Sequence, residues 1–147
     1  MATELEVNGA VATPLSLSLA DLRDSYPAHN VTVSFDNGKK TVTATFMGAR
    51  LWDVLTHAQV TADPAVDSKL RVMARAKDGF RCILRWNEFD PSLTDRVVLI
   101  AYEQDGAPLQ PGSGSLRLAV PGDPQGRRYL RGLAQITVLT GAVDEDD

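Results

Sequence analysis

The sequence predicts one strand-rich domain that mixes β-strands with short helices, an α+β arrangement within the broad α/β class. Three observations predict it. β-Branched and aromatic residues alternate with polar ones in short runs punctuated by Asn-Gly, Asp-Gly and Pro-Gly, the period of half-buried strands. Only two segments carry apolar residues at helical spacing. At 147 residues, 44% hydrophobic and 23% charged, the chain matches a single domain (1–147) with a substantial core and not a disordered segment.

Taken in order, Ser18 is placed to cap a helix over Leu19 to Tyr26, with Asp21 in the first turn where the helix dipole favours an anion. Val31 to Phe35 alternates with Val31, Val33 and Phe35 on one face, Asp36-Asn37-Gly38 turns, and Thr41 to Phe46 resumes the alternation. Together they predict a hairpin. Leu51, Val54, Leu55 and Ala58 share a face, so Ala49 to Ala58 reads as a helix after Gly48. Leu70 to Ala74 and Phe80 to Trp86 form strands around Lys77-Asp78-Gly79, and Asn87 to Pro91 a helical turn or tight loop. Val97 to Tyr102, Leu116 to Val120 and Ala134 to Leu139 are the remaining strands.

Composition excludes several classes. Net charge is -4, with an acidic end at Asp144, Glu145, Asp146 and Asp147 that reads as a solvated, frayed terminus. An acidic chain with only local basic residues is no nucleic-acid binder. No apolar run has the length of a membrane span, so direct membrane insertion is not expected. Met1 to Leu5 lack the basic and apolar regions of a secretory signal, and one cysteine cannot form an internal disulfide. The compartment is expected to be the periplasm if a signal has been removed, and the cytoplasm otherwise.

Chemistry-bearing residues gather late in the chain. A glycine-hinged loop, Gly122 to Gly126, delivers Arg127, Arg128 and Arg131 within five residues. They are either solvated charges or an anion-binding rim, to which planar guanidinium donors are suited. Arg117 alternates with Leu116 and Leu118 and so points away from the apolar face, exposed or lining a cleft beside the loop. Trp52 reads as core, whereas Trp86 ends a strand and is placed to cap a pocket; Tyr102 and Tyr129 offer further aromatic faces. Asp78 is either a hairpin corner or an acceptor. Cys82, inside a strand, reads as a small buried apolar residue, and His29 and His57 as surface or helix-end residues in no metal-ligand spacing.

Several ordered segments resemble the molybdopterin-binding domain of the sulfite oxidase family, over roughly Leu15 to Val138. These are Leu17-Ser18-Leu19-Ala20-Asp21-Leu22, Phe46-Met47-Gly48-Ala49-Arg50-Leu51-Trp52-Asp53-Val54-Leu55, Lys77-Asp78-Gly79-Phe80, Ala101-Tyr102-Glu103 and Val120-Pro121-Gly122 with the arginines that follow. The resemblance implies that family's mixed fold and a pterin cofactor. It puts Asp78 where the family has an acid near the pterin, Arg117 on the arginine that opens the Leu-Arg-x-x-Val-Pro-Gly strand, and Tyr129, Leu130 and Arg131 on the loop facing the cofactor's phosphate side. The chain also departs from the pattern. Where the family's oxidoreductases carry the metal-ligand cysteine, it reads Asp36-Asn37-Gly38-Lys39-Lys40, and Gly112-Ser113-Gly114-Ser115 replaces a histidine many relatives have. A carboxylate is a poor substitute for the soft thiolate.

The expectation that follows is a non-catalytic pterin-binding protein, a sensor or carrier with no metal, acting through a partner such as a membrane-bound signalling enzyme. Asp78, Trp86, Arg117, Arg128, Tyr129 and Arg131 would form its cofactor site: arginines donating, Asp78 accepting, Trp86 or Tyr129 stacking. The alternatives are a molybdopterin-dependent oxidoreductase domain or subunit, and an interaction scaffold with no small ligand.

Overall fold

The computed structural model describes residues 3–36, 38–109, 116–122 and 128–141. Arg127, the Gly112 to Ser115 stretch and the acidic end at 144–147 therefore lie outside the described residues. The strands form two sheets. The first runs in the order β2 (Leu15–Leu17), β1 (Leu5–Gly9), β10 (Leu133–Leu139), β5 (Arg71–Ala76) and β6 (Arg81–Arg85). The second runs β3 (Ala28–Asp36), β4 (Thr41–Arg50), β7 (Leu99–Gln104) and β8 (Ala107–Pro108), with β9 (Arg117–Ala119) also paired to β7. All pairings are antiparallel except β1 with β10.

The predicted hairpin forms as β3 and β4, in register from Ala28 with Ala49 to Asp36 with Thr41. Asp36 fixes its end by accepting from the Gly38 amide at 2.8 Å. Val33, Phe35, Ala44 and Phe46 face inward, while Thr32 and Thr45, and Ser34 and Thr43, bridge hydroxyls at 2.9 Å on the outer face. β4 runs to Arg50, so α2 spans Leu51–Ala58 and not Ala49 onward. Gly48 explains the extra strand: a Cβ there would collide with the Ile100 carbonyl and Ala101 of β7, so the backbones meet where only glycine fits.

Helix α1 spans Leu19–Asp24 and is shorter than predicted. Ser18 and Asp21 form a capping box: the Asp21 amide donates to Ser18 Oγ at 3.1 Å, and the Ser18 amide to Asp21 at 2.9 Å. The helix stops early because Tyr26 precedes Pro27, which disfavours helical backbone before it; Tyr26 turns into the core instead. The core between the sheets and helices includes Leu5, Leu22, Phe46, Leu51, Leu55, Leu84, Ile100, Leu118 and Ile136. No helix among the described residues is long and apolar enough to cross a membrane.

Candidate functional site

β7 uses one edge twice, and that builds a cavity. Along it, Leu99, Ile100 and Ala101 pair with Ala119, Leu118 and Arg117 of β9, and further on Glu103 and Gln104 pair with Pro108 and Ala107 of β8. Where the edge changes partner, a cavity of about 300 Å³ opens, lined by Gln104, Asp105, Ala107, Pro108, Leu109, Arg117 and Arg131, at the lower end for a small-molecule site. Asp105 and Gly106 both have positive φ, 55° and 85°, as a two-residue hairpin turn requires. Asp105 is pinned to β4, its carboxylate accepting from the Thr45 amide at 2.9 Å and its amide donating to the Thr45 carbonyl at 2.7 Å.

Arg117 is only 7% exposed. Its strand is buried on both faces, since Leu116, Leu118, Ala119 and Val120 are buried with it. Nε donates to the Tyr129 carbonyl at 3.1 Å and Nη1 reaches Gln104 Oε1 at 3.4 Å. The guanidinium lies 5.5 Å from the ring centres of Phe35 and Phe46. No carboxylate pairs with it among the described residues. Burial, reinforced by the Arg131 charge, pulls its pKa down to about 10, so the group stays protonated at neutral pH. Arg131 is exposed and bridges backbone to Arg117, bringing both cations to one cavity.

The other residues singled out from the sequence lie elsewhere. Arg128 turns away: Nη1 and Nη2 donate to the two Glu88 carboxylate oxygens at 2.8 and 2.6 Å, and Nη1 also to the Ile83 carbonyl. Tyr129 stands behind Arg117, its ring stacked on Phe35 at 4.1 Å and its hydroxyl donating to the Val120 carbonyl at 2.6 Å; its face is used in the core and offers no stacking surface to this cavity. Trp86 is likewise packed edge-on against Trp52 and Phe89, with Nε1 donating to Asp90. Asp78 sits exposed in the β5–β6 turn and accepts from the Phe80 amide at 2.9 Å, the corner role that its Asp-Gly sequence offers.

Gln104 and Asp105, at the end of a strand that the sequence runs into a turn, were not singled out as site residues. Glu88 was not either. Besides Arg128, it accepts from the Arg85 amide at 2.7 Å and lies 3.9 Å from Arg96, whose guanidinium packs where a Gly122 Cβ would sit. Burial raises the Glu88 pKa, but the Arg128 and Arg85 hydrogen bonds outweigh it and hold the carboxyl below its ordinary value.

Cys82 is half-buried in β6 opposite Ala74, in the other sheet and off the cavity lining. His57 Nδ1 bonds the Tyr26 hydroxyl at 2.6 Å, and His29 lies 3.6 Å from Asp53. Among the described residues, no group of three or more His, Cys, Asp or Glu is placed to hold a metal. The cavity thus fits the polar edge or anionic tail of a pterin, while its lining supplies no soft ligand for a metal.

A search of curated proteins finds no match. Among solved structures the fold matches the sulfane dehydrogenase SoxCD from Paracoccus pantotrophus, with a TM-score of 0.76 and 17% identity over 95% of this chain and 39% of that one. The chain thus spans well under half the length of that relative. The likeness establishes that the two share a fold. The profile described as "Oxidoreductase molybdopterin binding domain" matches residues 2–145. With nearly the whole chain matched and the two-sheet fold shared, this protein belongs to the oxidoreductase molybdopterin-binding domain family.

Proposed function

We propose that this chain binds a pterin in the Arg117–Arg131 cavity and presents it to a partner protein, without turning over substrate alone. The observation that carries this is Arg117, a buried guanidinium with a second cation beside it and no carboxylate partner among the described residues. Leaving a charge in that state costs several kcal/mol, and an electron-rich or anionic ligand offsets it. Arg117, clamped between Phe35, Phe46 and Tyr129, supplies rigid donors. Arg131 closes the outer side with an exposed charge. Gln104 donates or accepts with its amide, and Asp105, held by Thr45, is the acceptor for ring N–H groups, the role first expected of Asp78.

A molybdopterin bound here would supply the metal's redox chemistry. The dispensability of metal belongs to this proposal and not to the family, whose description names molybdopterin. It is supported by the Asp36-to-Lys40 turn, which carries no thiolate, and by a cavity lining that does not include Cys82. A membrane-bound signalling enzyme is the kind of partner that a metal-free pterin sensor would serve, in the periplasm where a leader directs export. The second reading, an oxidoreductase domain whose metal is held by the cofactor's own sulfur or by a partner, is favoured by family membership.

Calorimetric titration with reduced and oxidised pterins, with molybdenum assayed on the same preparation grown in molybdate, tests both. Micromolar binding without metal is the expected result. Stoichiometric molybdenum would favour the second reading. Neither pterin nor metal binding would leave an interaction scaffold and refute both.

A further inference from the structure

The sheet edges are not alike. β2 has three residues and β8 two, and the Ile83 carbonyl of β6 is taken by Arg128 at 3.1 Å. β3 is nine residues long, pairs with β4 without a break in register, and holds no proline, lysine or arginine. Short length, bulges, prolines and lysines are what usually blunt an edge, and β3 has none of them. Among the described residues, nothing but β4 bonds to its backbone.

The pairing geometry shows which groups are open. Thr45 of β4 spends both its amide and its carbonyl on Asp105, on the β7 side. Its register partner Thr32 therefore sits in a non-hydrogen-bonded pair, where side chains lie closer. Their hydroxyls meet at 2.9 Å, as do those of Ser34 and Thr43. The amides and carbonyls of Asn30, Thr32 and Ser34 thus point away from β4 and out of the sheet, while Val31 and Val33 turn theirs to β4.

This edge is complementary to itself. Two copies paired antiparallel about a two-fold axis at Thr32 align all nine residues. Thr32 then faces Thr32, Asn30 faces Ser34 and Ala28 faces Asp36, each pair exchanging N–H···O=C bonds, and Val31 meets Val33 on the inner side. The two Asp36 carboxylates stand about 27 Å apart at the strand rise, beyond the screening distance of about 8 Å at physiological salt. A second copy therefore matches in length, in the parity of its open groups and in charge. We infer that β3 pairs with β3 of a second copy, joining the two β3–β4–β7–β8 sheets across one closed two-fold axis. A contact one strand wide is small for a permanent dimer, so the dimer forms and parts with concentration. It stands apart from the pterin reading, since no residue lining the cavity takes part.

Sedimentation of the purified chain from about 1 μM to about 1 mM tests this. A monomer–dimer equilibrium with no larger species is expected. Thr32→Pro removes an amide that β4 does not use, and proline is tolerated at such edge positions; Thr32→Lys sets like charges opposite each other at the axis. Each is expected to weaken dimerisation by about tenfold or more, with native circular dichroism. Amide exchange on the native chain gives a second reading: Asn30, Thr32 and Ser34 should gain protection as concentration rises, with Val31 and Val33 protected throughout. A chain that stays monomeric, a dimer indifferent to both Thr32 variants, or an open-ended series of oligomers would overturn the inference. So would protection of the Thr32 amide in the dilute monomer, which would assign the edge to another segment of the same chain.

Discussion

Arg117 is where stability and ligand binding pull apart. Replacing a buried, uncompensated charge with an apolar side chain of similar length is often neutral or stabilising, whereas the Tyr129 carbonyl that loses its donor costs about 1–3 kcal/mol. The desolvated cation outweighs that loss, so Arg117→Met is expected to melt no lower than the native chain by scanning calorimetry. The same variant should lose at least about tenfold in pterin affinity, the equivalent of one charge-assisted hydrogen bond. A variant that binds normally would remove Arg117 from the site. Glu88 makes a prediction in pH. Its carboxyl is held below the ordinary value in the folded chain, so its contribution is complete above the unfolded carboxylate pKa of about 4.3 and fades as pH falls through the folded value. Urea titrations of Glu88→Gln from neutral pH down to roughly pH 3 should therefore show a shallower acid loss than the native chain. Parallel curves would place the pair's contribution elsewhere.

At the scale of elements, the β4–β7 crossing depends on one missing methyl group. Gly48 lies where the register shifts between Met47 and Gly48, and a Cβ would press on Ile100 and Ala101. Gly48→Ala is expected to cost about 1–3 kcal/mol, the usual range for overpacking, measurable as a lower urea midpoint. Because β7 also carries the cavity rim, pterin affinity should fall with it.

At the scale of the molecule, the parallel pair of β1 and β10 ties distant segments together. Val7 and Ile136 are register partners and both are buried. A double-mutant cycle with Val7→Ala and Ile136→Ala should give a coupling of about 0.5–3 kcal/mol; additivity would mean that the strands are only loosely joined. This pairing also marks the limit of what the sequence discloses. The β3–β4 hairpin, β5 with β6, and β10 were legible because their alternation and turn residues are local. β1 and β2 went unread because Leu5 to Gly9 is a short run whose partner comes at the other end of the sequence. The site divided in the same way. Arg117 and Arg131 were legible as cations near a strand and a loop. Arg128 was not, because its partner Glu88 lies 40 residues away, and neither was Tyr129, because stacking on Phe35 depends on how the two sheets meet.

That same β1–β10 pair bears on the order in which the chain assembles. Asn8 and Thr137, joined by a hydrogen bond, are 129 positions apart, so one side of β1 stays without a partner until β10 has been synthesised. Contacts of such range slow the search for the native state. Meanwhile the waiting strand presents open backbone groups to any neighbouring chain. During synthesis, then, the hairpin of β3 and β4 has its partners early, and the first sheet is completed last, when β10 emerges.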